Sequence, residues 1–324
     1  MNKSVSPRKV LLTLSMIVIM AMFPLKVAYS QIPPQYGGHV FQGAYLRVGL
    51  NDYGVLGVAN ESEGDVGFQY PKGDQYESLA TGWWGDGWSV FYDESYAGFS
   101  PDDGPWGTIE EVSPNVRLDY AKDGYIKTCI LTTSDEQLQL TFKFRFVYDK
   151  KYLILVMFIK NIGSTTTQNL EVKKVVDWDV WSPYFGEEYD NFWGMDNIRK
   201  PSMNLAVAFI NSSVSGGGGD MGIASSDTLR PVYMGFAARE KPTDYDLDWD
   251  DYEERGIYGP YKISLSYKGT SSDLFDGCVV YQWLLGNLKP GETKTLHFVY
   301  SAGDTLEELE KNVAQGLKMA VTIR

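Results

Sequence analysis

Two neighbouring runs decide the fold, LQLTFKFRF at residues 138–146 and LILVMFI at residues 153–159. The first run alternates apolar and polar side chains, which predicts a strand with one buried face and one wet face. The second run is apolar on both faces, which predicts a central strand that is covered on both sides. Together they require at least two packed sheets. We therefore predict an all-β fold, a large antiparallel β-sandwich.

Similar runs rich in Val, Ile, Thr, Tyr and Phe, broken by Gly, Pro, Asn and Asp, recur along the chain. The predicted strands are 115–120, 125–133, 138–147, 153–161, 170–180, 204–210, 232–237, 261–267, 278–285 and 294–300.

One segment predicts a helix after the last strand. Thr305 and Glu308 fit a capping box, and apolar residues then recur at helical spacing. These apolar residues are Leu306, Leu309, Val313 and Leu317. Gly316 lies near the expected C-terminal stop. We expect one C-terminal amphipathic helix, packed on the sandwich.

The first 30 residues have the pattern of a secretion signal. Basic residues precede an apolar stretch at 10–23, and the segment 28–30 offers small residues at the positions that a signal peptidase reads. We expect cleavage before Gln31 and a secreted protein, extracellular or at the cell surface. A retained anchor is the alternative, but the apolar stretch is shorter than the roughly 20 residues of a spanning helix. No membrane span is expected after cleavage.

We assign the remaining residues, 31–324, to a single large domain, with 31–106 as a Trp- and Gly-rich lobe of the same fold. The whole chain has 29 Lys and Arg against 42 Asp and Glu. The signal holds four of the basic residues, so the mature chain carries a net charge of −17. This acidity excludes nucleic acid as a partner and favours cations.

The chain has only two cysteines and two histidines, far apart in sequence. Their spacing excludes the usual zinc and c-type haem motifs. Cys129 and Cys278 either form one disulfide bond or remain buried free thiols.

Two segments interleave carboxylates with large aromatic residues, DWDVW at 177–181 and DYDLDWDDYEE at 244–254. On a strand, residues two apart share a face, so the carboxylates lie side by side. Calcium takes six to eight oxygen ligands, and we predict that it binds here. The predicted ligands are Asp177, Asp179, Asp246, Asp248, Asp250 and Asp251. The alternative is ordinary loop structure, in which these carboxylates accept loop amides or pair with cations.

Aromatic rings beside carboxylates also suit sugars, because rings stack on the sugar face and carboxylates accept its hydroxyl groups. The predicted ligand-binding residues are Trp83, Trp84, Trp181, Tyr245, Trp249 and Tyr252. The competing interpretation is packing, because large aromatic side chains are highly buried on average.

The sequence favours binding over catalysis. Only His39 and His297 are present, and the sequence contains no GxSxG elbow, phosphate loop or dinucleotide fingerprint. A structural role is expected for His297, which lies in an alternating strand. Glycoside hydrolysis needs only two carboxylates, so the 42 available neither support nor exclude it.

Two stretches carry a family resemblance. The run KYLILVMFIKNIG at 151–163, followed by 170–179, resembles the strand, Asn-x-Gly turn, strand core of galactose-mutarotase-like super-sandwich domains. The runs LKPGET at 288–293 and AGDTLEE at 302–308 are similar to the closing strand and helix of the super-sandwich domains that precede catalytic domains in some glycosidases. The resemblance covers about a third of the chain. It implies a super-sandwich-like fold and no activity, because the mutarotase pattern of two histidines and a glutamate has no match here.

We therefore expect a secreted binding or structural protein of the cell surface or extracellular matrix. Carbohydrate and calcium are its expected ligands, and a surface protein is a further candidate partner. The alternatives are a carbohydrate-active enzyme of the glycoside hydrolase type, or its accessory domain, and a self-associating subunit of a surface layer or filament.

Overall fold

The computed structural model describes residues 36–59, 65–73, 77–79, 85–101, 104–110, 112–178, 180, 198–200, 202–210, 232–248 and 278–324. The signal segment and the predicted strand at 261–267 lie outside these residues. Within them, no helix is long and apolar enough to cross a membrane.

The strands form three antiparallel sheets. The three-stranded sheet has the order β1 (Gly38–Gln42), β2 (Arg47–Asn51), β3 (Phe68–Gln69). The eight-stranded sheet has the order β12 (Ile198–Lys200), β13 (Leu205–Ile210), β14 (Val232–Ala238), β17 (Thr293–Gly303), β10 (Tyr152–Asn161), β9 (Leu138–Val147), β8 (Gly124–Thr132), β7 (Asn115–Ala121). The six-stranded sheet has the order β15 (Asp244–Asp248), β16 (Cys278–Leu288), β11 (Thr167–Asp177), β4 (Asp86–Tyr92), β5 (Ser95–Ser100), β6 (Gly104–Gly107).

The core lies between the two large sheets, which confirms the predicted β-sandwich. Aromatic rings meet across it, with centroids 5.0 Å apart for Trp88 and Phe142 and 5.4 Å apart for Trp283 and Phe298. Trp88 lies on β4 and Phe142 on β9, so the first pair joins the six-stranded sheet to the eight-stranded sheet.

Strand β10 is the central strand that its apolar sequence predicts, paired with β9 and β17. Leu155 and Met157 pack in the core between the sheets. Ile154 and Val156 pack on the opposite side, in a cluster that includes residues of the C-terminal helix.

The alternating run of β9 follows its prediction except at one residue. Arg145 belongs to the predicted wet face, yet it is only 8% exposed. Its guanidinium donates to the carbonyl oxygens of Tyr125 and Phe146 and pairs with Asp123. The buried charge of Arg145 is therefore both hydrogen-bonded and paired.

The helix α1 (Leu306–Ala320) begins as the capping box predicts. Thr305 Oγ1 accepts a hydrogen bond from the Glu308 amide at 3.1 Å, and Leu309 and Val313 are buried against the sheet. The helix continues four residues past Gly316 and ends at Ala320. A Cβ at Gly316 would lie 2.8 Å from a Val299 methyl group, so this glycine allows the helix to approach the sheet closely.

The segment 31–106 contributes to two sheets. Strands β1 to β3 form the three-stranded sheet, whereas β4 to β6 belong to the six-stranded sheet. Cys129 and Cys278 are both buried free thiols, one on β8 and the other on β16, which lie in different sheets.

Candidate functional site

The outer face of the six-stranded sheet carries the candidate site. Along β11, Val172 and Val176 pack in the core between the sheets. Because successive residues of a strand point to opposite faces, Glu171, Lys173 and Asp177 belong to the outer face.

At one end of this face, the strand register aligns the described residues of the two acidic segments. Asp177 pairs with Cys278, and Cys278 pairs with Asp248. The three positions form one row across β11, β16 and β15. Neighbouring strands lie about 4.8 Å apart, so positions 177 and 248 are about 10 Å apart. Backbone alternation places positions 244 and 246 on the same face as 248.

The calcium site itself stays a prediction. Asp179, Asp250 and Asp251 lie outside the described residues, and the side chains of Asp246 and Asp248 are not described. Among the side chains that are described, no three His, Cys, Asp or Glu residues form a group that could hold a metal ion.

Of the predicted ligand-binding aromatic residues, the structure describes Tyr245. It is half-buried and packs against the core, on the side of β15 opposite positions 244 and 246. Trp83, Trp84, Trp181, Trp249 and Tyr252 lie outside the described residues.

A pocket of about 710 Å³ lies at the other end of the outer face, where the β4–β5 turn meets the start of β11. Glu171 is six residues from Asp177 along β11, so about 20 Å separates this pocket from the acidic row. The pocket is lined by carboxylates, aromatic rings and amides. Its residues are Phe91, Tyr92, Asp93, Glu94, Ser95, Tyr96, Gln168, Asn169 and Glu171. We call it the turn pocket.

The backbone around the turn pocket is strained. Asp93 and Glu94 form the two-residue turn between β4 and β5, with φ angles of 48° and 68°, as a type I′ turn requires. Asn169, where the β11–β16 register shifts, has a φ of 52°. Five non-glycine residues in the described part of the chain have positive φ, and three of them line this pocket. Such strain clusters at functional sites.

The turn is held against β11. The Gln168 amide donates to Asp93 Oδ1 at 2.8 Å, and the Asp93 amide donates to the Gln168 carbonyl oxygen at 3.3 Å. These two hydrogen bonds fix residues that are 75 positions apart in sequence, so the pocket walls are set before a ligand arrives.

An exposed aromatic ring stands at the pocket. Tyr96 is 44% exposed and stacks on Phe91, with ring centroids 6.3 Å apart and an interplanar angle of 27°. The Lys173 ammonium lies 5.1 Å from the Phe91 centroid. The exposed Tyr96 ring is therefore held in place by Phe91, which in turn contacts Lys173.

Glu171 supplies an oriented carboxylate. Its Oε1 accepts a hydrogen bond from Gln282 Nε2 at 2.6 Å and lies 3.4 Å from the Lys173 ammonium. Within the described part of the chain, both contacts reach Oε1, which leaves Oε2 to accept from a ligand. Burial lowers the pKa of Lys173, and the Glu171 charge opposes that shift.

His297 lies outside the turn pocket and has a structural role. Its Nδ1 is 2.8 Å from Glu240 Oε1, and its amide donates to Glu240 Oε2 at 2.8 Å. Burial alone would raise the pKa of Glu240, but the hydrogen bonds from His297 hold it below its ordinary value.

No protein-family model matches the chain, and no curated protein matches it. Similar solved structures include a bacterial glucoamylase in complex with acarbose, at 9% identity and a TM-score of 0.49, covering 91% of this chain and 36% of the glucoamylase. A GH36 alpha-galactosidase from Geobacillus stearothermophilus has 10% identity and a TM-score of 0.37, covering 85% of this chain and 42% of that protein. A galactose mutarotase related enzyme from Lactobacillus acidophilus has 9% identity and a TM-score of 0.37, covering 84% of this chain and 99% of that protein.

The likeness to the mutarotase-related enzyme is a weak likeness of fold. The chain spans about a third of the length of the glucoamylase. At these identities no residue role passes from these proteins to this chain.

The turn pocket is not predicted by the sequence pattern. A type I′ turn is usually signalled by Asn-Gly or Asp-Gly, and the pair Asp93-Glu94 carries no glycine. The one available signal was the acidic pair between two runs of strand-forming residues, FY at 91–92 and SYAGF at 95–99.

Proposed function

We propose that this protein binds carbohydrate through the turn pocket, as a secreted binding protein. The observation that carries the proposal is the coincidence, at one pocket, of three left-handed non-glycine residues with an exposed, supported tyrosine ring. Backbone strain of this kind persists where the surrounding structure imposes it, and it clusters at functional sites.

The lining of the turn pocket has the chemistry that a sugar requires. One face of a pyranose ring is apolar and would stack on Tyr96, whose ring is amphipathic. Hydroxyl groups at the ring edge would donate to Glu171 Oε2 and to the carboxylates of Asp93 and Glu94. Hydrogen bonds to charged acceptors are stronger than neutral ones, at about 1.5–3 kcal/mol each.

Tyr96→Ala and Glu94→Gln test the proposal, because both residues are exposed and neither supports the core. Each variant should lower affinity about tenfold or more, corresponding to about 1.5 kcal/mol. The measurement is retention in affinity electrophoresis through gels containing a panel of neutral polysaccharides. Glu171 is left intact because it balances the buried charge of Lys173.

Glu136→Gln is the matched control, since Glu136 also has a left-handed backbone (φ 55°) and is exposed, but does not line the pocket. Its retention should equal that of the unchanged protein. Absence of retention on every polysaccharide, or equal retention of all variants, contradicts the proposal. Assay of released reducing sugar on the same panel tests the alternative, a carbohydrate-active enzyme, which requires turnover.

Calcium at the opposite end of the outer face is a separate proposal. It is supported by the register that aligns positions 177 and 248 on either side of Cys278. Like charges that share one face of a sheet repel unless they are screened, paired or bound to a metal ion. A divalent cation bridging β11 and β15 would relieve that repulsion.

A further inference from the structure

Three tyrosine rings form a continuous surface at the edge of the eight-stranded sheet. Tyr120 and Tyr125 have ring centroids 5.1 Å apart, and Tyr125 and Tyr148 have centroids 5.4 Å apart. Tyr120 lies on the edge strand β7 and pairs in register with Tyr125 of β8. We call these three rings the tyrosine platform.

The tyrosine platform is exposed although its rings are large and partly apolar. Tyr120 is 77% exposed and Tyr148 is 38% exposed. Tyr120 is the most exposed of the large hydrophobic residues in the described part of the chain. The largest exposed apolar patch on a typical monomeric protein covers about 300–600 Å² and is often functional.

The platform is fixed in place from below and from the side. Buried Phe41 lies 5.0 Å from the Tyr125 ring centroid. The Tyr148 amide donates to the Asp123 carbonyl oxygen at 2.9 Å, and Arg145 joins Asp123 to the backbone of Tyr125. The Tyr125 ring and the backbone that carries Tyr148 are therefore held in place before a ligand binds.

The size of the platform favours a small flat ligand over a protein. A tyrosine ring offers about 150–250 Å² of surface, so the three partly exposed rings offer about 300 Å² in total. A stable protein partner needs about 800 Å² on each side. The face of one or two sugar rings fits the smaller area.

The carboxylates beside the platform are paired with cations, which favours a neutral ligand. Asp123 pairs with Arg145, and Asp149 pairs with Lys150 at 3.3 Å. A hydrogen bond between the Tyr125 and Tyr148 hydroxyl groups raises the pKa of Tyr148. These hydroxyl groups can both donate to and accept from sugar hydroxyl groups.

We infer that the tyrosine platform is a second carbohydrate-binding surface, for neutral pyranose rings, and that the protein holds polysaccharide at two separate places. The inference rests on the proposed function. The turn pocket belongs to the six-stranded sheet and the platform to the edge of the eight-stranded sheet. Two sites on one rigid sandwich increase retention on a polymer and bridge two polymer chains.

The test compares Tyr120→Ala/Tyr148→Ala with Tyr96→Ala on the full chain, so that each set of exposed tyrosines is the control for the other. Retention on neutral polysaccharide and turbidity of a soluble neutral polysaccharide are both measured. The platform variant should bind about tenfold more weakly and lose turbidity, while it keeps the retention that the turn pocket provides. Unchanged melting temperatures show that the variants are folded. Tyr120→Ala alone, at the most exposed ring, replaces the double variant if the latter does not fold.

The two hypotheses fail in different ways. If Tyr96→Ala removes all retention and the platform variant behaves as the unchanged protein, the platform inference is overturned and the proposed function stands. If the platform variant alone loses retention, the platform stands and the turn pocket does not. If light scattering without polysaccharide shows self-association that Tyr120→Ala abolishes, the platform contacts another copy of the chain and the inference is overturned.

Discussion

At the scale of single residues, the backbone conformation of Glu94 lowers stability, while its carboxylate serves the proposed binding. Its left-handed backbone (φ 68°) costs a residue with a Cβ about 1 kcal/mol, which glycine avoids. Glu94→Gly should therefore raise the free energy of unfolding by about 1 kcal/mol while it weakens carbohydrate binding, because the carboxylate at the pocket is lost. Urea denaturation measures the first effect, and affinity electrophoresis measures the second.

Glu136→Gly separates the two effects. Glu136 has a φ of 55°, so the same substitution should give a similar gain in stability with no change in binding. If Glu94→Gly binds as well as the unchanged protein, the strain at the β4–β5 turn serves no ligand. If neither variant gains stability, the left-handed glutamates are not the source of strain.

At the scale of strands, the proposal that calcium binds at the row across β11, β16 and β15 can be tested by thermal denaturation. If a cation bridges this row, calcium chloride should raise the melting temperature by several degrees and a chelator should reverse the rise, because a ligand at 100 times its Kd adds about 2.7 kcal/mol. Asp177→Asn should remove most of that response. Asp149→Asn, at a carboxylate that is 70% exposed and lies beside the tyrosine platform, should leave it unchanged. Equal melting temperatures with calcium and with chelator would falsify the calcium proposal.

The elements were predictable where local pattern and packing agree. The apolar run of β10 and the capping box of α1 each lead to one structure, and both are observed. The turn pocket was not predictable, because its walls come from strands 75 residues apart and its turn lacks glycine. Glu171, Lys173 and Lys174 look like solvated charges in sequence, yet all three are buried, and alternation places the two lysines on opposite faces of β11.

At the scale of the whole molecule, one buried ionic cluster joins the two large sheets and the segment that follows β2. Asp86 of β4 pairs with Lys174 of β11, and both side chains are essentially fully buried. Tyr300 of β17 donates to Asp86 Oδ2 at 3.0 Å, and the amide of Leu56, beyond β2, donates to the same oxygen at 2.8 Å. Burial raises the pKa of Asp86 and lowers the pKa of Lys174, and their mutual attraction opposes both shifts.

Asp86→Asn should therefore destabilise the whole sandwich. It leaves the Lys174 ammonium buried without its counter-charge, which costs about 3–5 kcal/mol. Asp86→Asn combined with Lys174→Met removes both charges and keeps an oxygen that accepts from Tyr300 and Leu56, so it should recover most of that loss. Asp119→Asn, in a surface ion pair with Arg117 that is 75% exposed, is the control and should cost less than about 1 kcal/mol. Urea denaturation followed by circular dichroism measures all three. Only an uncompensated buried charge makes the single substitution more destabilising than the double one. If Asp86→Asn is as stable as the Asp119→Asn control, the ion pair of Asp86 and Lys174 does not hold the sheets together. The same conclusion follows if the double variant is less stable than Asp86→Asn alone.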